Sequence, residues 1–235
     1  MRILCVVPAR GGSKGVPRKN LRLVAGRPLI AWTVEQALAA RPSMDVVVST
    51  DDDEIAAAAE AAGALVPFRR PPELAQDDTP TEPVVRHAIE AARAADAAPD
   101  AVMLLQATSP VRLPGTASRA IAQLEASGVD SLVGVVPQAP FIWTDGPEPS
   151  AAYDVTARPR RQDLTPQTLR YRETGSLYLT RTWVYDELDN RIGGRTGLFV
   201  MDEVEGVDVD TELDLAVAEQ QLLALHQTTT PGDPA

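Results

Sequence analysis

Short unbroken apolar runs alternate along this chain with longer stretches whose apolar positions recur every three or four residues. Ile3-Leu4-Cys5-Val6-Val7, Val46-Val47-Val48-Ser49-Thr50, Ala101-Val102-Met103-Leu104-Leu105 and Ser131-Leu132-Val133-Gly134-Val135-Val136 predict strands covered on both faces, as in a parallel sheet. Helical periodicity lies between them, near 29–39, 53–62, 81–94 and 115–127. This alternation builds βαβ units with right-handed crossovers, and so an α/β fold with a doubly wound, mostly parallel sheet. Two later strands are predicted at Ser176-Leu177-Tyr178-Leu179 and Gly197-Leu198-Phe199-Val200-Met201, then a last helix over about 211–226.

The pattern breaks between Gln138 and Arg172, where Pro140, Pro147, Pro149, Pro159 and Pro166 interrupt any helical period. A long irregular stretch inside a compact domain usually serves as a lid or a partner-exchanged arm. Phe141, Trp143 and Tyr153 favour an ordered element over a disordered insertion, because disordered segments are poor in aromatics. The expected organisation is one domain over 1–227, with 138–174 as a dimerisation or lid element and a disordered tail at 228–235.

A formal net charge of -11 over 235 residues argues against nucleic acid or an anionic membrane as partner. The only cysteine, Cys5, sits inside the first apolar run and reads as a small core residue in a reducing compartment. With no cleavable apolar leader and no run near the length of a membrane span, the expectation is a soluble cytoplasmic protein.

One segment departs from the acidic background. Pro8-Ala9-Arg10-Gly11-Gly12-Ser13-Lys14-Gly15-Val16-Pro17-Arg18-Lys19-Asn20 follows the first strand and groups Arg10, Lys14, Arg18 and Lys19 around three glycines. Glycines let backbone N–H groups converge on an anion, and the cations offset its charge. The loop is neither a Walker loop, since Gly15 follows Lys14, nor a dinucleotide fingerprint, since its glycines are spaced differently. It reads as a nucleotide-phosphate cradle, the plain alternative being a solvated basic turn. Ligands of such sheets lie beyond the carboxyl ends of the strands, where this loop, Ser49-Thr50-Asp51-Asp52 and Gln106-Ala107-Thr108-Ser109-Pro110 would all emerge.

Near the other end, Val207-Asp208-Val209-Asp210-Thr211-Glu212-Leu213-Asp214 sets two carboxylates at i and i+2. In extended backbone both face the same way and can share one hard cation such as Mg²⁺. Asp210 equally suits the N-cap of the final helix, with Glu212 in its first turn. In Asp51-Asp52-Asp53-Glu54, Asp52 or Asp53 suits the N-cap of the next helix, and Asp51 stands near any ligand.

Four blocks, PARGGSKGVPRKN, VVVSTDDDEIA, LLQATSP and GVDVDTELDL, occur in the order found in the acylneuraminate cytidylyltransferases, and the chain resembles that family over roughly 2–225. The resemblance implies a Rossmann-like nucleotidyltransferase that moves CMP from CTP to an acidic sugar with Mg²⁺, and a homodimer. It implies that Arg10, Lys14 and Lys19 bind the triphosphate, with Gly11, Gly12 and Ser13 completing the cradle. Asn20 and Thr81 would meet the nucleoside, Gln106, Arg161 and Arg172 the acceptor, and Asp208 and Asp210 the metal. Ala107 and Thr174-Gly175 depart from common family wording, Gln-Pro-Thr-Ser-Pro and Asn-Gly, at positions that bear on the acceptor. Another sugar acid or a phosphonate acceptor therefore stands as an alternative, and a non-catalytic nucleotide sensor as one of a different class.

Overall fold

The computed structural model describes residues 1–12 and 15–229. Strand β1 (Ile3–Pro8) leads through the glycine loop and the small hairpin of β2 (Leu23–Val24) and β3 (Arg27–Pro28) into α1 (Leu29–Leu38). There follow β4 (Asp45–Ser49), α2 (Asp53–Ala61), α3 (Thr81–Ala94), β5 (Ala101–Leu105), α4 (Thr116–Ser127) and β6 (Ser131–Gln138). The small hairpin of β7 (Trp143–Thr144) and β8 (Ser150–Ala151) stands in the proline-rich stretch. The chain closes with β9 (Arg170–Arg181), α5 (Thr182–Leu188), β10 (Thr196–Val200) and α6 (Glu212–Thr229).

Six strands form one sheet in the order β10-β6-β9-β5-β1-β4. All neighbours run parallel except β9, which is antiparallel to both β5 and β6. Both faces are covered. Ile3, Cys5 and Val7 pack beneath α1, α2 and α4, whereas Leu4 and Val6 meet α3 and Tyr185 of α5. Helix α6 packs Leu215, Ala218 and Leu222 against Leu29 and Trp32 of α1. The wholly apolar β1 and β5 are thus the middle of a sandwich, which is why their sequences show no alternation. No helix among the described residues is long and apolar enough to cross a membrane.

Strand β9 is longer than its apolar run predicts. After an irregularity between Val133 and Val135, residues 170–173 continue the ladder against 135–138. The sheet therefore takes Gln138 and 170–174 from the segment read as an insertion, leaving 139–169 as the excursion. Backbone pairing holds the polar Arg170-Tyr171-Arg172-Glu173 in the ladder although Arg170, Arg172 and Glu173 are exposed. Of the tail read as disordered, 228 and 229 continue α6, and 230–235 lie outside the described residues.

Two helix starts bear on the site. Asp52 caps α2, its carboxylate accepting from the N–H groups of Glu54 and Ile55. At α6 the cap is Thr211: its hydroxyl accepts from the Asp214 N–H at 3.2 Å, and the Asp214 carboxylate accepts from the Thr211 N–H at 2.8 Å.

Candidate active site

The loops after β1 and β5 emerge side by side at the carboxyl edge of the sheet, where ligands of such folds lie. A cavity of about 460 Å³ opens there. Arg10, Gly12, Lys19 and Asn20 border it from the glycine loop, Thr81 from the start of α3, Gln106 and Thr108 from the end of β5, and Asp208 and Asp210 from the segment before α6. Ser13 and Lys14 lie outside the described residues. The Gly11 N–H donates to Asp51 Oδ1 at 3.0 Å, so this carboxylate steadies the loop from the end of β4.

The amino-terminal loop and the paired aspartates, almost two hundred residues apart, are in direct contact. Lys19 Nζ donates to the Val209 carbonyl at 2.5 Å and to Asp210 Oδ1 at 3.0 Å. Gly15 is bare of a side chain where one would collide with the Asp210 backbone oxygen. Alternation does the rest: Val209 is fully buried among Val24, Leu29 and Trp32, so Asp208 and Asp210 face the cavity from either side of it. Because Thr211 and Asp214 cap α6, the Asp210 carboxylate is not spent on the helix, and the capping alternative for Asp210 gives way. Asp208 Oδ1 accepts a long hydrogen bond, 3.4 Å, from the Ser109 hydroxyl.

Two hard carboxylates on one wall fit Mg²⁺, which is typically held by one or two such groups together with substrate phosphates and water. No group of three or more His, Cys, Asp or Glu able to hold a metal occurs among the described residues.

The cations are arranged less simply than the sequence suggests. Arg10 contacts Asp77 at 2.7 Å and donates to the Gln76 carbonyl at 2.9 Å, bridging the glycine loop to the 74–81 loop across the cavity. Arg18, read as a fourth phosphate cation, turns away. It pairs with Glu54 at 3.0 Å and lies 3.9 Å from Asp52, drawn by the acidic first turn of α2.

Arg70, which sequence reading passed over, borders the cavity instead. It is 5% exposed and held by the Ser49 hydroxyl and carbonyl. Burial pulls its pKa down to about 10, against the pull of Asp51 and with that of Arg10. Its trace in sequence is slight, a basic pair before Pro71-Pro72.

Other predicted residues do local work. Asn20 is buried, and its Nδ2 donates to the Arg10 carbonyl at 3.1 Å, pinning the loop that carries Arg10. Gln106 is set by its surroundings: the buried Arg112 donates to its carbonyl at 3.0 Å, and Gly175, at φ +71°, leaves room for its side-chain oxygen. Thr174 is consumed within the sheet, its hydroxyl donating to the Gly134 carbonyl. Neither Arg161 nor Arg172 borders the cavity. Arg161 begins a 3-10 turn in the 139–169 excursion, and Arg172 on β9 donates to the Gly206 carbonyl at 2.9 Å.

A family model described as cytidylyltransferase matches residues 4–143. The chain is 34% identical over 94% of its length to N-acylneuraminate cytidylyltransferase A of Danio rerio, of which it spans about half, 51%. It is also 34% identical, over 97% of its length and 98% of the relative, to the CMP-N,N'-diacetyllegionaminic acid synthase of Legionella pneumophila. Among solved structures, a CMP:2-keto-3-deoxy-manno-octonic acid synthetase complexed with CTP superposes with a TM-score of 0.70, covering 96% of this chain and 100% of that one. At 18% identity that likeness speaks for the fold.

Proposed function

Since the chain belongs to the cytidylyltransferase family, we propose that it transfers CMP from CTP to an acidic sugar of the nonulosonic class and releases pyrophosphate. The observation that carries this reading is Lys19, whose ammonium reaches both the Val209 carbonyl and the Asp210 carboxylate at the wall of the cavity bordered by Arg10 and Gln106. A phosphate-seeking cation and a metal-seeking carboxylate in one cavity are what a bound nucleoside triphosphate requires.

In this reading Arg10, Lys14 and Lys19 orient the triphosphate, with the backbone of Gly11, Gly12 and Ser13 as the cradle and Arg70 adding a buried positive charge beside it. Arg10 exchanges Asp77 for phosphate when the nucleotide enters. Asn20 and Thr81 meet the nucleoside, and Gln106 orients the acceptor so that its hydroxyl oxygen bonds the α-phosphorus as the bond to the bridging oxygen breaks; that oxygen leaves with pyrophosphate and the hydroxyl proton passes to water. Positioning and charge stabilisation supply most of the acceleration in such a transfer. Asp208 and Asp210 would hold Mg²⁺, which would supply positive charge to offset that of the phosphates.

Arg161 serves the acceptor carboxylate by way of a second subunit, whereas Arg172, outside the cavity and engaged on the Gly206 carbonyl, takes no part in acceptor binding. The proposed assembly is a cytoplasmic homodimer joined through the 139–169 excursion. There the Phe141 and Tyr153 rings meet edge to face at 5.4 Å under Arg158, while Trp143 stays 55% exposed. Ordered aromatic surface of this kind suits an interface. A monomeric mass in solution would overturn the dimer.

The test of the reaction is pyrophosphate release from CTP and Mg²⁺ across a panel of nonulosonic acids, other sugar acids and phosphonates. Release with a nonulosonic acid is expected. Release only with another acceptor would move the substrate class, and silence with every acceptor would sink the reading.

A further inference from the structure

We propose that Glu205 is a positioning residue for this transfer, the buried anchor that sets Asp208 in place relative to Gln106. The inference rests on the functional reading above and names a residue outside the cavity wall. Glu205 is 0% exposed, an unusual setting for a carboxylate. One oxygen accepts from the Leu113 N–H at 2.9 Å and from the Thr116 hydroxyl at 2.5 Å; the other accepts from the Asp202 N–H at 3.0 Å, with Arg119 at 3.9 Å. The anion therefore sits against the first turn of α4, where its charge is favoured, and closes the 3-10 turn 203–206 at the same time.

Those bonds join two stretches that both end at the cavity. Upstream of Leu113, the chain runs back through Arg112, whose guanidinium holds the Gln106 and Ser176 carbonyls at 3.0 and 2.7 Å. Downstream of Glu205 it runs to Asp208, and the Val209 N–H then donates to the Thr108 carbonyl at 2.8 Å. The 205–209 strap is thus fastened to the 106–116 loop at both ends, with Arg172 holding the Gly206 carbonyl between them. Lengthening either end shifts the carboxylate that would meet the metal against the glutamine that would meet the acceptor. A misplacement of about 1 Å can cost about a hundredfold in rate.

Glu205→Gln tests this, because an amide NH₂ would face the Asp202 N–H that the carboxylate now accepts, and the negative charge at α4 would be gone. The expected result for the folded variant is a tenfold or greater fall in kcat, with KM for CTP rising only by the severalfold that the weaker metal affinity entails. Mn²⁺ affinity in the presence of CTP, read by electron paramagnetic resonance, should weaken severalfold, while metal-free CTP affinity stays unchanged. Thr116→Val removes one donor without touching the carboxylate; it should shift kcat and Mn²⁺ affinity in the same direction by less, and it serves if Glu205→Gln does not fold. Unchanged Mn²⁺ affinity and kcat in a folded variant, or losses that only follow the unfolded fraction, would overturn the proposal. A wild type that binds Mn²⁺ and CTP yet releases no pyrophosphate with any acceptor would overturn the functional reading alone, and the Mn²⁺ comparison would still decide the role of Glu205.

Discussion

A Cβ atom placed on Gly15 would stand 2.2 Å from the backbone oxygen of Asp210. That approach joins the glycine loop after β1 to the strap before α6, and backbone cannot yield as a side chain can. Gly15→Ala must push the two apart, at about 1–3 kcal/mol by analogy with overpacked sites. Because the displacement falls at the proposed triphosphate and metal site, pyrophosphate release should drop at least about tenfold, the rate equivalent of about 1.4 kcal/mol. Steady-state kinetics beside a thermal melt check this, and wild-type turnover would refute it.

Asp208→Asn and Asp210→Asn keep shape and remove charge. Each should lower turnover about 10²-fold and raise the Mg²⁺ concentration needed for half-maximal rate. Metal-free binding of CTP should change little, as measured by calorimetry in chelator. If neither variant moves the Mg²⁺ dependence, the pair is not the metal site.

The cap of α6 gives an independent check on Asp210. Thr211→Ala removes the hydroxyl that accepts from the Asp214 N–H and should cost about 1 kcal/mol of stability. Asp210→Asn, whose side chain lies outside that cap, loses an ion pair with Lys19 worth about 0.2–1 kcal/mol and screened by salt, so in high salt it should cost less than Thr211→Ala. Urea denaturation of both variants distinguishes them; a reversed order would return Asp210 to the helix.

Next to Thr81, Glu82 meets Arg191 at 2.6 Å with both side chains mostly buried. Burial pushes the Glu82 carboxyl up, but the hydrogen bond and charge of Arg191 outweigh it, so the group lies below its ordinary 4.5. A carboxyl depressed in the folded state stabilises fully above its unfolded pKa and loses that contribution as pH falls through the folded value. Glu82→Gln should therefore cost about 1–2 kcal/mol near neutrality, between exposed and buried pairs, and the gap from wild type should close on acidification below pH 4.5. Denaturation curves across that range test the sign.

Much of the α/β order is legible in the chain because β1, β4, β5 and β6 are apolar on both faces and α3 starts and stops where its periodicity does. Strand β9 was half hidden: its first residues are held by pairing with 135–138 rather than by apolar burial, and backbone pairing leaves no trace in composition. Within the site, Lys19 stands out as a cation beside a glycine loop, whereas the aspartates suit a helix cap as well as a metal until Thr211 and Asp214 take the cap. Arg18 and Arg70 could not be sorted, since two arginines near a loop look alike until one finds Glu54 and the other is buried on Ser49.

From the order of residues alone come the alternation of strands and helices, the cationic glycine loop and the i, i+2 carboxylates, since each rests on short-range periodicity or local backbone freedom. Their meeting does not. That Gly15 touches Asp210 and that Glu205 fastens the strap to α4 depend on contacts across some ninety to two hundred residues of chain. Such contacts exist only once the sheet has brought the carboxyl ends of β1 and β5 side by side, because packing and hydrogen-bond geometry act through space, not along the chain.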